Sequence, residues 1–151
     1  MEVLVIDDDT VYREAVLLFL EGAAVCHCVE DGAVGLAVFE RQLVVGRPFA
    51  AVVVDNEMPG IKGVEVIRGI RAIEARWGVA ETPIVIASTA SLEGDDSAVL
   101  TDARVRYLAK PFTQLSLLDM VGQLGVSFNQ SDAAIGPVPL DDQQIPCRCL
   151  S

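Results

Sequence analysis

The 151-residue sequence lacks any apolar run close to the roughly 20 residues that a transmembrane helix requires. Its N-terminus also lacks a basic segment followed by an apolar stretch, the pattern of a secretory signal. Together these two absences predict a cytoplasmic protein that has no membrane partner.

Basic side chains are scarce, with 11 Lys and Arg against 22 Asp and Glu and a formal net charge of -11. Such a charge repels phosphate backbones, so direct binding to nucleic acid is not expected. Any output directed at DNA would need a partner protein.

The four cysteines lack the two-residue spacing that is common in structural zinc sites. They occur as two Cys-x-Cys pairs, Cys26/Cys28 and Cys147/Cys149. We expect the first pair on one face of a strand and the second in a loose C-terminal tail. A metal site that includes His27 is the less favoured interpretation. Without a secretory signal, nothing in the sequence supports a disulfide framework.

The chain length and a hydrophobic content of 52% fit one domain with a sizeable core. Runs rich in Val, Ile and Leu alternate with helical patterns, which predicts an α/β fold with a doubly wound, five-stranded parallel sheet in residues 1–124. The helix between the fourth and fifth strands is expected to be short or frayed, because Gly94 and the acids around it disfavour it. The predicted strands lie in EVLVI, AVCHCV, FAAVVVD, TPIVIAS and RVRYLA.

Residues 125–151 contain three prolines and show no sustained hydrophobic period. We expect this segment to be a mostly disordered tail. It is too short to be an output domain.

Polar side chains follow the predicted strands where those strands end. Because the carboxyl ends of parallel strands meet at one edge of a sheet, we expect these side chains to lie close together. Three carboxylates about 4 Å apart repel by roughly 1 kcal/mol per pair in water and about 4 kcal/mol at an effective dielectric near 20, and a hard divalent cation such as Mg²⁺ removes that repulsion. The residues at this edge are Asp7, Asp8, Asp55, Ser88, Thr89 and Lys110.

The stretches VLVIDDD, VVVDNEMPGIKG, PIVIAS and YLAKPF resemble the receiver domain of bacterial two-component response regulators, the CheY-like superfamily, over residues 1–124. The resemblance implies a flavodoxin-like (βα)5 fold with Asp55 as the phosphoacceptor. It implies Mg²⁺, with Mn²⁺ as a possible substitute, bound by Asp8, Asp55 and the backbone carbonyl of Glu57, with Asp7 contributing through water. It also assigns a hydroxyl role to Ser88, a phosphate-binding role to Lys110 and an aromatic switch role to Tyr107.

The function implied by this resemblance is phosphoacceptor signalling in a two-component system or phosphorelay. A histidine kinase or histidine phosphotransfer protein would phosphorylate Asp55. The surface formed by the fourth helix, fifth strand and fifth helix would then bind a downstream protein or a second copy of the chain. We expect a regulatory protein rather than an enzyme, with at most self-phosphorylation from small donors and slow self-dephosphorylation.

Several positions depart from the family pattern or leave it ambiguous. Ser88 and Thr89 are adjacent, and Ser88 is favoured for the hydroxyl role because period-two alternation sends Thr89 to the other face. Glu57 lies two residues after Asp55, so we expect it to tune the lifetime of the phosphorylated state, and Thr89 is a second candidate for such tuning. The segment before the fifth strand lacks the Gly-Ala turn usual in the family. The geometry of the output face and the switch role of Tyr107 are therefore left open.

The sequence leaves two alternative functions open. One is a receiver-like interaction module that is never phosphorylated. The other resembles a haloacid dehalogenase-like phosphatase, in which DDDTV supplies Asp7 as the nucleophile, but the acidic pair that this family needs after its lysine is not evident. The sequence does not name the cognate kinase, the downstream target or the pathway.

Overall fold

A computed structural model describes residues 1–126 and the backbone of residues 147–150. Short apolar strands alternate with helices along the chain, as the sequence pattern predicts. The elements are β1 (Glu2–Ile6), α1 (Thr10–Phe19), β2 (Val25–Val29), α2 (Gly32–Val44), β3 (Ala51–Asp55), α3 (Gly63–Trp77), β4 (Ile84–Ser88), a 3₁₀ helix (Gly94–Thr101), β5 (Val105–Ala109), α4 (Gln114–Gln123) and β6 (Cys147–Leu150).

The strands form one parallel sheet in the order β5-β4-β3-β1-β2-β6. The chain moves outward from β1 to β2 on one side and returns to β3 on the other, so the order reverses between β1 and β3. In such sheets the crevice at the carboxyl ends of the strands flanking the reversal is the usual binding site. The predicted doubly wound fold with five parallel strands is confirmed, and a sixth strand extends it.

Helices cover both faces of the sheet, and each face has its own apolar core. On one face, α2 and α3 contribute Phe39, Ile67 and Ile70 to a cluster around the central strands. On the other face, α1 and α4 contribute Val16 and Leu117. All five residues of β3 are buried, which explains why its sequence is uniformly apolar rather than alternating up to its final Asp.

The sixth strand lies within the segment that we expect to be a mostly disordered tail. Cys147–Leu150 pairs with β2 in parallel. This pairing supplies backbone partners to β2, which would otherwise be the edge of the sheet. Residues 127–146 and residue 151 lie outside the described residues, so the predicted disorder there stays a prediction.

The element between β4 and β5 is a 3₁₀ helix rather than an α-helix. Gly94 opens it with a positive φ of 59°, and Val99 is its one buried residue, so little apolar burial favours a longer helix. The predicted fifth helix is therefore α4. Thr113 caps it, since its Oγ1 accepts a hydrogen bond of 3.1 Å from Ser116 N.

Within the part of the chain that the structure describes, no helix combines the length and apolar character needed to span a membrane.

Candidate functional site

Three carboxylates meet at the carboxyl ends of β1 and β3. Asp7 and Asp8 follow β1, Asp55 is the last residue of β3, and one oxygen of each lies within 4.8 Å of the others. Asp7 and Asp55 are buried, with 6% and 3% of their surface exposed, whereas Asp8 is exposed. The convergence predicted from two separate strand ends is therefore present.

Lys110, which follows β5, lies between two of these acids. Its Nζ donates a hydrogen bond of 2.9 Å to Asp7 Oδ2 and lies 3.1 Å from Asp55 Oδ1. The lysine side chain is only 4% exposed and its Nζ also sits 3.9 Å from the centre of the Tyr12 ring. The backbone holds this position, since Lys110 N donates to Ser88 O at 2.9 Å.

Asp55 Oδ1 is buried without a hydrogen-bond partner among the described residues. Its 3.1 Å contact with Lys110 Nζ is an ion pair, although its geometry departs from that of a hydrogen bond. Buried carboxylate oxygens normally accept hydrogen bonds, so one that accepts none among the described residues marks a place where a further ligand or ion fits.

Burial and the neighbouring charges shift the pKa values of the groups in this cluster. Burial raises the pKa of Asp55, and the neighbouring charge of Asp7 raises it further, against the opposing effect of Lys110. Burial likewise raises the pKa of Asp7. Burial alone would lower the pKa of Lys110, but the interactions of its ammonium with the Asp7 and Asp55 carboxylates together outweigh burial and raise it. One ammonium thus faces three carboxylates, which leaves the site short of positive charge.

The donor set fits a hard cation. Three carboxylates within 4.8 Å offer oxygen ligands only, and Mg²⁺ binds through one or two carboxylates while keeping several waters. Asp55 Oδ1, which accepts no hydrogen bond from the described residues, is a further argument for a cation at this place. The site residues are therefore able to hold Mg²⁺, while the ligand role of the Glu57 backbone carbonyl stays a prediction.

Two residues after Asp55, Glu57 has a carboxylate that accepts several hydrogen bonds from the end of β4. Ser88 Oγ donates to Glu57 Oε1 at 2.7 Å, and Thr89 Oγ1 lies 2.7 Å from both carboxylate oxygens. The backbone amides of Thr89 and Ala90 each donate to Oε1 at 3.1 Å. The hydrogen bonds from Thr89 and then Ser88 lower the pKa of Glu57.

This contact corrects the expectation that Thr89 turns away from Ser88. Strand β4 ends at Ser88, so strand alternation no longer governs the next residue, and both hydroxyls reach the same carboxylate. Sequence reasoning treated Glu57 as a neighbour of the phosphoryl position and missed its role as acceptor. The only available signal was an acid two residues after Asp55 combined with two adjacent hydroxyls at a later strand end.

Tyr107 joins β5 to the segment that follows β4. Its hydroxyl lies 3.2 Å from both Ser88 O and Ala90 O, and it donates its single proton to one of them at a time. The side chain is half-buried and packs against the apolar cluster on the α2 and α3 face. Tyr107 is therefore in contact with the backbone around the predicted hydroxyl residue, while its switch role stays a prediction.

Gly63 is the second glycine of the loop motif that follows β3, and close packing explains why this position has no side chain. A Cβ at this position would lie 2.6 Å from the backbone oxygen of Asp55, so α3 begins behind the end of β3 only if residue 63 has no side chain. Asn56 supports the same junction by accepting a hydrogen bond of 3.2 Å from Val64 N. The motif thus places Asp55 at the mouth of the crevice.

Arg13 is a neighbour of the site that the sequence did not single out. It lies in the first turn of α1, where its Nη1 donates to Asp7 O at 2.8 Å and its Nη2 donates to Thr10 Oγ1 at 3.1 Å. These contacts hold the loop that carries the acids against α1. Its position six residues after Asp7 carries no motif, so only the fold reveals it.

A family model described as the response regulator receiver domain matches residues 3–122. The sensory/regulatory protein RpfC of Xanthomonas campestris pv. campestris is 32% identical over 133 residues, which cover 86% of this chain but only 17% of that protein. The two-component response regulator ORR41 of Oryza sativa subsp. japonica is 28% identical over 117 residues, covering 78% of this chain and 88% of that protein.

Solved structures show the same fold. The receiver domain of the histidine kinase CKI1 from Arabidopsis thaliana, crystallised in complex with Mg²⁺, superposes with a TM-score of 0.64 and 25% identity, covering 78% of this chain and 88% of that one. This neighbour was crystallised with the ion that the acidic cluster described above is able to hold.

Proposed function

Because the chain belongs to the response regulator receiver domain family, we propose that it accepts a phosphoryl group on Asp55 and acts as a phosphorylation-controlled signalling domain. The observation that carries this proposal is the state of Asp55. It is a buried carboxylate at a switch point of the sheet, with two further acids beside it, and its Oδ1 lies 3.1 Å from the Lys110 ammonium and accepts no hydrogen bond from the described residues.

In the proposed reaction an Asp55 carboxylate oxygen attacks the phosphorus of a phosphohistidine, and the bond from phosphorus to the histidine nitrogen breaks. Lys110 neutralises charge that develops on the phosphoryl oxygens, which is the main catalytic contribution in such transfers. Asp8 and Asp55 would hold Mg²⁺ directly, with Asp7 contributing through water and Glu57 through its backbone carbonyl. When bound, that ion supplies additional positive charge at the phosphoryl group.

Phosphorylation would then change the hydrogen bonds at the end of β4. The new phosphoryl oxygens compete with the Glu57 carboxylate for the Ser88 hydroxyl. Because Tyr107 contacts the backbone oxygens of Ser88 and Ala90, a shift of this segment is passed to β5. We propose that the surface that responds to phosphorylation is formed by the 3₁₀ helix, β5 and α4. A downstream protein or a second copy of the chain would bind there.

The partners follow from the proposed reaction. A histidine kinase or a histidine phosphotransfer protein would supply the phosphoryl group, and a cytoplasmic location is part of this proposal. The chain spans about a sixth of the curated relatives RpfC that it matches, so the activities of those whole proteins are not assigned to it.

The phosphatase interpretation with Asp7 as nucleophile is not supported by this geometry. Asp7 Oδ2 accepts a hydrogen bond from Lys110 and Oδ1 accepts one from the backbone of Asp9, whereas Asp55 Oδ1 accepts no hydrogen bond from the described residues. Asp55 is the better placed nucleophile.

The direct test is incubation with Mg²⁺ and acetyl phosphate, followed by intact mass. We expect the wild type to gain one phosphoryl group, Asp55→Asn to gain none, and the control Asp119→Asn, which removes an exposed carboxylate on α4, to behave as the wild type. Equal labelling of Asp55→Asn would place the acceptor elsewhere. A lack of labelling by acetyl phosphate and by phosphoramidate would favour an interaction module that is never phosphorylated.

A further inference from the structure

The two Cys-x-Cys pairs, far apart in sequence, lie side by side in the sheet. The parallel pairing of β2 with β6 places Cys147 opposite Cys26 and Cys149 opposite Cys28. The two pairs are separated by more than a hundred residues along the chain, so only the position of β6 brings them together.

All four cysteines occupy positions on one face of the sheet. Residues two apart on a strand share a face, and in-register residues on a parallel neighbour lie on that same face. Cys26 and Cys28, each 1% exposed, belong to the apolar cluster covered by α1 and α4. His27 points to the opposite face, where its ring packs against Phe49 and its Nε2 lies 2.8 Å from Glu2 Oε1. The histidine is therefore not part of the cysteine cluster.

The spacing of a parallel sheet favours disulfides between cysteines on neighbouring strands over disulfides between two cysteines of the same strand. Neighbouring strands are about 4.8 Å apart, which lies within the Cα separation of roughly 4.4 to 6.8 Å that disulfides adopt. The Cα atoms of residues two apart on one strand are separated by about 6.6 Å, which is close to the upper limit for a disulfide. A tetrahedral zinc site needs four sulfurs that approach the ion from different directions, whereas these four positions lie on one face.

We propose that Cys26 with Cys147, and Cys28 with Cys149, form two cross-strand disulfides when the protein meets a small disulfide of the oxidised glutathione class. In each pair the thiolate of the β6 cysteine attacks the small disulfide and releases one thiol, and the β2 cysteine then attacks the mixed disulfide and releases the second. Two protein thiols and one small disulfide thus become one protein disulfide and two small thiols. We assign the first attack to the β6 cysteine because Cys26 and Cys28, each 1% exposed, are shielded from a small disulfide.

The consequence is a redox-controlled attachment of β6 to the sheet. This strand has four residues and pairs on one side only within the described chain, and short edge segments open locally at a lower cost than central strands. The two disulfides would hold it covalently against β2, and reduction would remove this covalent attachment. This attachment lies at the opposite edge of the sheet from β5 and does not depend on phosphorylation of Asp55.

The test uses the full chain, first reduced and freed of reductant and metal, then exposed to oxidised glutathione. Thiols are counted by alkylation after denaturation, and disulfides are located by peptide mapping without reduction. We expect four alkylated cysteines before oxidation and none after it, with links Cys26–Cys147 and Cys28–Cys149 in a monomeric chain. We also expect the midpoint of thermal unfolding to rise on oxidation.

Variants confined to β6 leave the buried cysteines in place and keep the test decisive. Cys147→Ser should retain only the link Cys28–Cys149, and Cys149→Ser only Cys26–Cys147. The double variant should form no link within the chain, and its unfolding midpoint should not rise with oxidised glutathione. Links within either Cys-x-Cys pair, links between two chains, or four thiols that persist after oxidation would overturn the proposal. Stoichiometric zinc bound by the reduced protein, with loss of thiol reactivity, would replace it with a metal site.

Discussion

The Ser88 hydroxyl donates a hydrogen bond of 2.7 Å to the Glu57 carboxylate. The same carboxylate accepts from the hydroxyl and amide of Thr89 and from the amide of Ala90. An anion of the protein itself thus occupies donors close to the proposed phosphoryl position. Phosphorylation would have to compete with Glu57 for these groups.

Replacing Glu57 should therefore stabilise the phosphorylated form. In Glu57→Ala the Ser88 hydroxyl is released to the phosphoryl oxygens, and a net hydrogen bond of about 0.5 to 1.5 kcal/mol corresponds to roughly a 2- to 12-fold higher ratio of phosphorylated to unphosphorylated protein. The measurement is the steady-state extent and the decay of Asp55 phosphate. Glu21→Ala, which removes an exposed acid just after α1, serves as the control. Identical extents and half-lives in both variants would show that Glu57 does not compete.

The lysine next to Asp55 should control the rate of phosphorylation. Lys110→Gln removes the ammonium that lies 3.1 Å from Asp55 Oδ1, and the loss of one group that stabilises a developing negative charge typically lowers a rate by about 10²- to 10³-fold. Labelling by acetyl phosphate measures this rate. Lys62→Gln is a matched control, because that lysine is exposed and pairs with Asp96 at 3.7 Å. Equal slowing in both variants would point to a general charge effect.

Mg²⁺ should stabilise the fold through the acidic cluster. At a free concentration tenfold above its Kd, an ion that binds only the folded state adds about 1.4 kcal/mol to the free energy of unfolding. We expect the midpoint of thermal unfolding to rise with Mg²⁺ in the wild type and in Asp119→Asn. In Asp8→Asn, which lacks one of the three clustered carboxylates, the rise should be small. A full rise in Asp8→Asn would remove Asp8 from the ion site.

Two glycines should respond to alanine with opposite signs. In Gly63→Ala the new Cβ would meet the Asp55 backbone oxygen at 2.6 Å, so we expect a loss of about 1 to 3 kcal/mol in the free energy of unfolding. Gly122 lies within α4 with nothing within 4 Å of an added Cβ, so Gly122→Ala should gain about 0.5 to 1 kcal/mol. Urea unfolding measures both. A stable Gly63→Ala that is still phosphorylated on Asp55 would contradict the close approach of α3 to β3.

The pairing of Arg71 with Asp102 should make stability depend on pH. Burial tends to raise the pKa of Asp102, but hydrogen bonds from Arg71 at 2.7 Å and from the Arg104 amide at 2.8 Å outweigh it and lower that pKa. Because the pKa is lower in the folded state, this stabilisation is present above the unfolded pKa near 3.8 and is lost as the pH falls through the folded value.

Asp102→Asn should accordingly cost about 1.5 to 3 kcal/mol at neutral pH, the usual range for a hydrogen bond to a charged group. The difference from the wild type should shrink as the pH falls below about 4. Urea unfolding at several pH values gives this comparison, with Asp119→Asn as the control. A difference that stays constant with pH would mean that Asp102 contributes through packing rather than charge.

Much of the site was predictable because its residues follow apolar runs. Each run predicts a buried strand, and in a parallel sheet the strand ends meet at one edge, which brings Asp7, Asp55 and Lys110 together without knowledge of any side-chain contact. The helix start at Thr113 was predictable for a similar reason, since capping depends on residues a few positions apart.

Other contacts depend on how segments that are distant in sequence pack against each other. The carboxylate of Glu57 meets Ser88 and Thr89 only because the loop after β3 lies beside the end of β4. The element between β4 and β5 is a 3₁₀ helix because it buries little more than Val99, a quantity that depends on its neighbours.

Taken alone, the order of apolar runs and polar strand ends determined the doubly wound sheet and the meeting of the acids with Lys110, because these follow from local periodicity and the geometry of parallel strands. Tertiary structure decided that Cys147 and Cys149 lie opposite Cys26 and Cys28. A four-residue strand carries too little local signal to predict its pairing, which depends on the open edge that β2 presents.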